Sequence, residues 1–151
     1  MKTRRGDLLQ LAQEGEFDVI AHGCNCFCTM GAGIAKAVAA RFPQALEADR
    51  QTPKGDRTKL GTCSFAEVDT VRGKLTVVNA YTQFHYRGRG DKADYEAIRA
   101  CMRWLAAHYR QARIGLPKIG AGLAGGDWPR IERIIDEELG GTDVTVVEYQ
   151  Q

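Results

Sequence analysis

Short apolar runs alternate with amphipathic helical patterns along this 151-residue chain, and this alternation restricts the possible folds more than any other feature. The apolar runs predict strands at Phe17–Ala21, Thr62–Glu67, Leu75–Ala80, Ile114–Pro117 and Val144–Tyr149. Apolar residues spaced three or four apart predict helices in GIAKAVAARF (33–42), YEAIRACMRWLAAHY (95–109) and WPRIERIIDEEL (128–139). Strands and helices in this order form an α/β sandwich around a mostly parallel or mixed sheet.

Two glycine-rich segments, GAGIA (31–35) and IGAGLAGG (119–126), each follow a predicted strand and precede a predicted helix. Ligands of such sheets bind at the carboxyl ends of the strands, so we expect both segments at one edge of the sheet. Glycine lets the backbone approach phosphate oxygens, and the free N–H groups of a helix start favour an anion. The pair therefore predicts a cradle for a diphosphate. The second segment also spells G-x-G-x-x-G, but a Rossmann unit would continue into a larger domain, so we favour the cradle.

Composition restricts the class of protein. The 44% hydrophobic and 26% charged residues fit a single globular domain over residues 1–151, expected to be a monomer. We expect no membrane span, because no apolar run approaches ~18 residues. We expect no signal peptide, because no hydrophobic segment follows the basic residues of MKTRRGDLLQ (1–10). Five cysteines, an odd number, favour a reducing cytoplasm. The net charge of +2 does not by itself indicate nucleic-acid binding, although basic residues concentrate at 50–59 and 85–92.

The stretch HGCNCFC (22–28) places His22 beside Cys24, Cys26 and Cys28. Zinc ligands would suit these residue types, but structural zinc sites use wider spacings and usually a second pair of ligands. A catalytic thiol would need a base, and His22 is the one nearby candidate. We favour small residues packed at a tight turn, and we expect no metal and no cofactor.

Four segments together resemble the macrodomain family, the ADP-ribose-binding α/β/α module. They are GDLL (6–9), DVIAHGCNCFCTMGAGIAKAVAARFP (18–43), VVNAYTQ (77–83) and LPKIGAGLAGGDW (116–128). The resemblance implies a three-layer α/β/α fold with a central mixed sheet of about six strands. Within the family, the chain is most similar to the branch that holds ADP-ribose-1″-phosphate phosphatase and terminal ADP-ribose protein glycohydrolase.

The resemblance also implies which residues bind the ligand. Asp7 and Leu8 would contact the adenine, and Asn25 would hydrogen-bond hydroxyls of the distal ribose. The two glycine-rich segments would hold the pyrophosphate through backbone N–H groups. The remaining expected ligand-binding residues are Met30, Gly31, Ala32, Gly33, Ile34, Ala35, Gln83, Arg87, Arg89, Ile119, Gly120, Ala121, Gly122, Leu123 and Gly125.

One candidate catalytic residue follows from the resemblance, and the others come from segments of this chain that depart from the family. His22 matches a histidine of the phosphatases and would act as acid, base or nucleophile; the alternative is a histidine bonded within the core. His85 is a second candidate acid, and Arg87 and Arg89 would neutralise a terminal phosphate. Asp127 could reach the site or merely cap a helix.

The glycohydrolase branch uses a lysine after the strand ending in NAYTQ and an aspartate after the late Gly-Leu pair. In this chain these positions fall at Gln83 or Phe84 and at Ala124, and Lys92 aligns poorly.

Three functions are consistent with these residues. The first, which we favour from the sequence, is removal of the terminal phosphate of ADP-ribose-1″-phosphate. The second is release of ADP-ribose from modified protein or nucleic acid, and the third is ADP-ribose binding without turnover. Each makes ADP-ribose or a derivative of it the ligand.

Overall fold

Residues 1–86 and 92–150, which the computed structural model describes, form three layers around one six-stranded sheet. The strands are β1 (Lys2–Gly6), β2 (Val19–Cys24), β3 (Cys63–Thr70), β4 (Gly73–Tyr81), β5 (Arg113–Leu116) and β6 (Asp143–Tyr149). The helices are α1 (Leu8–Gln13), α2 (Gly33–Arg41), α3 (Pro43–Arg50), α4 (Tyr95–His108) and α5 (Trp128–Leu139), with a short 3-10 helix at Arg57–Lys59. In this part of the chain no helix is long and apolar enough to cross a bilayer.

The sheet is mixed, as expected from the sequence. Its order is β1-β6-β5-β2-β4-β3, and its neighbouring strands run parallel except for β3, which pairs with β4 antiparallel. One face packs against α4 and α5 through residues such as Val78, Ile114 and Val146. The other face packs against α1, α2 and α3 through Val77 and Ile20. Alternate residues of the central strands therefore pack into two separate apolar layers, one on each face of the sheet.

Strand β1 and helices α1 and α3 are absent from the sequence prediction. Strand β1, KTRRG, lies at the sheet edge with its first four side chains exposed, so it lacks the apolar alternation that identifies a strand. Helix α1 is only six residues long, and Asp7 caps it by accepting from the N–H groups of Leu9 and Gln10 at 3.0 and 3.2 Å. Short or polar elements leave a weak pattern because few of their residues enter the core.

Strands β2 and β5 are hydrogen-bonded neighbours, paired Val19 with Ile114 and Ile20 with Gly115. The chain leaves β2 toward α2 on one face of the sheet and leaves β5 toward α5 on the other. Their carboxyl ends therefore diverge, which opens a crevice at a topological switch point of the sheet.

Helix α5 provides a test of the core on the α4–α5 face. Ile135 is fully buried in that core, whereas Arg133 of the same helix is exposed. We expect Ile135→Ala to lower the free energy of unfolding by about 2–5 kcal/mol, because the lost side chain leaves a cavity. Arg133→Ala should change it by no more than about 0.5 kcal/mol. Urea unfolding measures both values, and equal losses in the two variants would contradict this packing.

Candidate functional site

A cleft of about 970 Å³ occupies the crevice between the ends of β2 and β5. Both glycine-rich segments line it, so the structure brings together the two loops that the sequence placed at one edge. Of the expected site residues, those lining the cleft are Asp7, Leu8, Asn25, Gly31, Ala32, Gly33, Ile34, Ala35, Gln83, Ile119, Gly120, Gly122 and Leu123.

Helix α2 begins at the cleft. Ala32 is its N-cap residue, with extended backbone and no side-chain cap, so the first N–H groups of the helix have no side-chain partner at that position. Gly33 has a φ of +57°, and a Cβ there would lie 3.1 Å from Leu123 Cδ1. The two glycine-rich loops therefore touch across the cleft. This arrangement gives an extended anion, such as a diphosphate, access to a helix N-terminus.

The second glycine-rich loop is a compact turn. Gly120 has a φ of +76°, and its carbonyl oxygen accepts from the N–H of Gly126 at 2.8 Å. A Cβ on Gly126 would lie 2.6 Å from that same oxygen, so the turn requires glycine there. Gly125 has a φ of +75° and donates to the Gly122 carbonyl at 3.0 Å. Gly125 therefore shapes the loop, whereas Gly120 and Gly122 face the cleft.

The loop after β2 carries Asn25 at the other side of the cleft. Asn25 Oδ1 accepts from the Phe27 N–H at 2.8 Å, and Nδ2 donates to the Thr29 carbonyl and hydroxyl at 3.1 and 2.8 Å. The side chain thus holds its own loop in a turn. Cys28, with a φ of +57°, adopts the left-handed conformation that non-glycine residues rarely take. The loop is therefore shaped by specific contacts.

A buried polar cluster supports this loop from below. The Lys59 ammonium donates to the Cys26 carbonyl at 3.2 Å and lies 4.7 Å from the centre of the Tyr81 ring. The Tyr81 hydroxyl donates to Asp49 Oδ1 at 2.7 Å, and burial raises the pKa of the Asp49 carboxyl. Arg50, Lys54 and Arg57 of the basic segment 50–59 are exposed, but Lys59 is buried beneath the loop.

His22 lies in β2 beneath the cleft and is only 1% exposed. Its Nε2 is 2.7 Å from Asn79 Oδ1. Asn79 Nδ2 donates to the Ala45 carbonyl and the Ser64 hydroxyl, so Oδ1 is the acceptor and His22 Nε2 carries the proton. Burial lowers the pKa of His22 to about 4, despite this hydrogen bond, which acts in the opposite direction. This geometry favours the core role for His22 over the catalytic one.

The cysteines of HGCNCFC pack as small residues. Cys24 and Cys26 are buried with Tyr81, and burial raises the pKa of both thiols, which keeps them protonated and poorly nucleophilic. All five cysteines are free. In residues 1–86 and 92–150, no group of three or more His, Cys, Asp or Glu residues is arranged to hold a metal ion.

Several expected site residues lie away from the cleft. Met30 is buried in the core beside α2, and Ala121 packs against the core beside α5. Asp127 is exposed at the N-cap of α5 and makes no side-chain cap bond, and its N–H donates to the Tyr95 hydroxyl at 3.0 Å. His85 lines a neighbouring groove and stacks on Tyr86. Arg87 and Arg89 lie outside the described residues.

Lys92, which aligns poorly with the lysine of the glycohydrolase branch, nevertheless lies at the cleft. It lines the cleft at the end that also holds Asn25 and Gln83, and it is half-buried. Its N–H donates to the Ala124 carbonyl at 2.7 Å, which ties this segment to the second glycine loop. The sequence did not predict Lys92 as a site residue, because it lies nine residues beyond Gln83, the position that matches the glycohydrolase lysine.

At the opposite end of the cleft, Glu148 and Tyr149 line the wall beside Asp7, because β6 pairs with β1 in parallel.

Comparison of the sequence with protein families agrees with the fold and the cleft. The Macro domain model matches residues 21–135, which is most of the chain. The chain therefore belongs to the macrodomain family, in agreement with the resemblance noted from its motifs.

Two relatives extend this assignment. The chain is 39% identical over 155 residues to a 17.5 kDa protein of the tk-vs intergenic region of Enterobacteria phage T4, covering 99% of this chain and 97% of the phage protein. It is 25% identical over 145 residues to a DNA ADP-ribosyl glycohydrolase of Mycobacterium tuberculosis. That match covers 95% of this chain but only 40% of the mycobacterial enzyme.

Solved structures share the fold. A protein from Bacteroides thetaiotaomicron superimposes with a TM-score of 0.82 at 29% identity, over 97% of this chain and 96% of that one. Thermosipho africanus DarTG, solved in complex with ADP-ribose, gives a TM-score of 0.75 at 16% identity, over 97% of this chain and 40% of that one.

The buried His22 predicts a specific pH dependence. Because its folded pKa of about 4 is below the unfolded value of about 6.5, only the unfolded state binds the proton between these pH values. Above about pH 6.5, protonation of His22 does not change the free energy of unfolding. As the pH falls to 4, it lowers that free energy by up to about 3 kcal/mol. Between about pH 6.5 and pH 4, the free energy of unfolding measured with urea should therefore fall by about 3 kcal/mol more in wild type than in His22→Gln. NMR titration of the wild-type ring should give a pKa below 5, and a value near 6.5 would contradict the burial.

Proposed function

We infer that the cleft binds ADP-ribose and that the protein releases ADP-ribose from a modified acceptor. One observation carries the inference: both glycine loops, Asn25 and Lys92 line one cleft of about 970 Å³. That volume suits a ligand of this size. The pyrophosphate would lie between the glycine loops and the distal ribose would lie near Asn25 and Lys92. The adenine would then lie near Asp7 and Leu8.

Lys92 supports turnover rather than binding alone. An uncharged lysine amine is a nucleophile toward a carbon at the aldehyde oxidation level, such as C1″ of the ribose. In the proposed reaction, the amine nitrogen bonds to C1″ while the bond from C1″ to the acceptor breaks. The acceptor leaves with the electron pair and takes up the proton that the amine releases. Water then hydrolyses the bond between nitrogen and C1″, which frees ADP-ribose and restores the amine.

Removal of phosphate from ADP-ribose-1″-phosphate is the second candidate reaction. It would use the same cleft, but the position of His22 weakens it. The ring is buried, bonded to Asn79 and absent from the residues that line the cleft. The relative named as a DNA ADP-ribosyl glycohydrolase, 25% identical to this chain, supports the first reaction.

Gly31 offers a test of ligand binding that leaves the fold intact. A Cβ on Gly31 would meet no atom within 4 Å, so a side chain there would extend into open space at the cleft. Gly31→Val should therefore weaken ADP-ribose binding at least about tenfold, measured by calorimetry, without lowering the melting temperature. Gly141 is equally open but follows α5 and does not line the cleft, so Gly141→Val is the matched control. Equal affinities for the two variants would exclude this cleft.

Lys92 offers a separate test of turnover. Lys92→Ala should reduce the release of ADP-ribose from a modified acceptor by about 100-fold or more, because it removes the nucleophile. Its affinity for free ADP-ribose should change by less than about fivefold. Liquid chromatography of the products measures ADP-ribose, and a phosphate assay with ADP-ribose-1″-phosphate distinguishes the phosphatase reaction. Full ADP-ribose release by Lys92→Ala would refute the role of the lysine.

A further inference from the structure

Cys28 and Lys59 form a thiol–ammonium pair at the edge of the buried polar cluster. The Lys59 ammonium donates to Cys28 Sγ at 3.6 Å and to the Cys26 carbonyl at 3.2 Å. Lys59 is only 5% exposed, whereas Cys28 is half-buried and can be reached from solvent. Cysteines react in such surroundings, because a cation held beside a partly exposed sulfur stabilises the thiolate.

The other four thiols are placed less favourably for reaction. Burial raises the pKa of the Cys24 and Cys26 thiols. A contact with Cys63, together with burial, raises the pKa of the Cys101 thiol. Cys63 is half-buried and packs against the core beside α4. An oxidant from solvent should therefore react first at Cys28, where exposure and a neighbouring cation coincide.

The end of α3 provides a proton acceptor for this pair. The Cys28 thiol donates to the Asp49 and Thr52 carbonyls at 3.3 and 3.4 Å. The Asp49 side chain is 1% exposed, and its Oδ2 has no hydrogen-bond partner among the described residues. Burial raises the pKa of this carboxyl, so it takes up a proton more readily than an exposed aspartate does.

The hydrogen bonds of Asn25 enclose Cys28 from both sides. Its Oδ1 accepts from the N–H of Phe27, the residue before Cys28, and its Nδ2 donates to the carbonyl and hydroxyl of Thr29, the residue after it. Cys28 itself has a φ of +57°, which a residue with a Cβ adopts only when its surroundings hold it there. Asn25 and Thr29 line the cleft. Movement of Cys28 is therefore transmitted directly to the cleft wall.

We propose that Cys28 and Lys59 are a redox-modification site, at which hydrogen peroxide forms a reversible sulfur–nitrogen bridge. The Cys28 thiolate attacks one peroxide oxygen and the O–O bond breaks, which leaves a sulfenic acid; the departing hydroxide takes up the thiol proton and becomes water. Lys59 passes one proton to Asp49, and its amine attacks the sulfur. The S–OH group leaves with the second amine proton as another water. One peroxide thus accepts the two electrons that the S–N bond requires.

The bridge changes the support of the loop that carries Asn25. Sulfur and nitrogen move from 3.6 Å to bonding distance, and Lys59 loses the charge with which it holds the Cys26 carbonyl. The turn around Cys28 then shifts. The effect on ligand rests on the proposed function of the cleft: affinity for ADP-ribose falls in the bridged form. Dithiothreitol reverses the bridge, because its thiolate attacks the sulfur and releases the amine.

Peptide mass spectrometry of the peroxide-treated protein tests the bridge itself. Wild type should give the peptide with Cys28 joined to the peptide with Lys59, about 2 Da lighter than the two combined, and dithiothreitol should separate them. Cys28→Ser should form no such product. Cys63→Ser is the matched control, because Cys63 is also half-buried, and it should form the bridge as wild type does. Oxygen retained on Cys28 without a link to Lys59, or oxidation of another cysteine first, would overturn the assignment.

Calorimetry tests the coupling of the bridge to the cleft. Peroxide should weaken ADP-ribose binding about tenfold in wild type and in Cys63→Ser, and dithiothreitol should restore it. Binding by Cys28→Ser should not respond to peroxide. A bridge that leaves the affinity of wild type unchanged would overturn the coupling. Absence of ADP-ribose binding before any oxidation would instead refute the function of the cleft, while mass spectrometry would still decide the bridge.

Discussion

The divergence of the chain from two neighbouring parallel strands is the constraint on which the site depends. Strands β2 and β5 pair directly, yet the segments that follow them cross to opposite faces of the sheet. No helix can cover the sheet edge between them, so the crevice remains open. Each segment leads into a helix through glycines, which place backbone N–H groups rather than side chains at the crevice wall.

The HGCNCFC loop shows how a polar interior can support such a site. Lys59 is buried beneath it and donates to the Cys26 carbonyl, while Asn25 closes a turn above. A buried ammonium is costly unless it is paired, and here a carbonyl, a tyrosine ring and the nearby Asp49 carboxylate stabilise it. His22 and Asn79 extend the same polar interior under the sheet edge. These residues fix the loop that carries Asn25 into the lining of the cleft.

The cleft and the neighbouring groove that His85 lines have Lys92 in common. The second glycine loop binds the backbone of Lys92 through the Ala124 carbonyl, and the start of α5 holds Tyr95. A single arrangement of loops therefore positions Lys92 between the cleft and the neighbouring groove.

The sequence by itself determined the layers of the fold, the mixed sheet and the meeting of two glycine loops. These follow from apolar periodicity and from glycines at strand ends, which are local properties of the chain. It missed β1, whose pairing with β6 spans nearly the whole chain, and it did not place Lys92 at the cleft. It also could not distinguish a buried His22 from a catalytic one, or a buried Lys59 from a solvated one. Only the tertiary structure decided these points, because burial and side-chain partners arise from segments distant in sequence, and adjacent residues carry no signal of them.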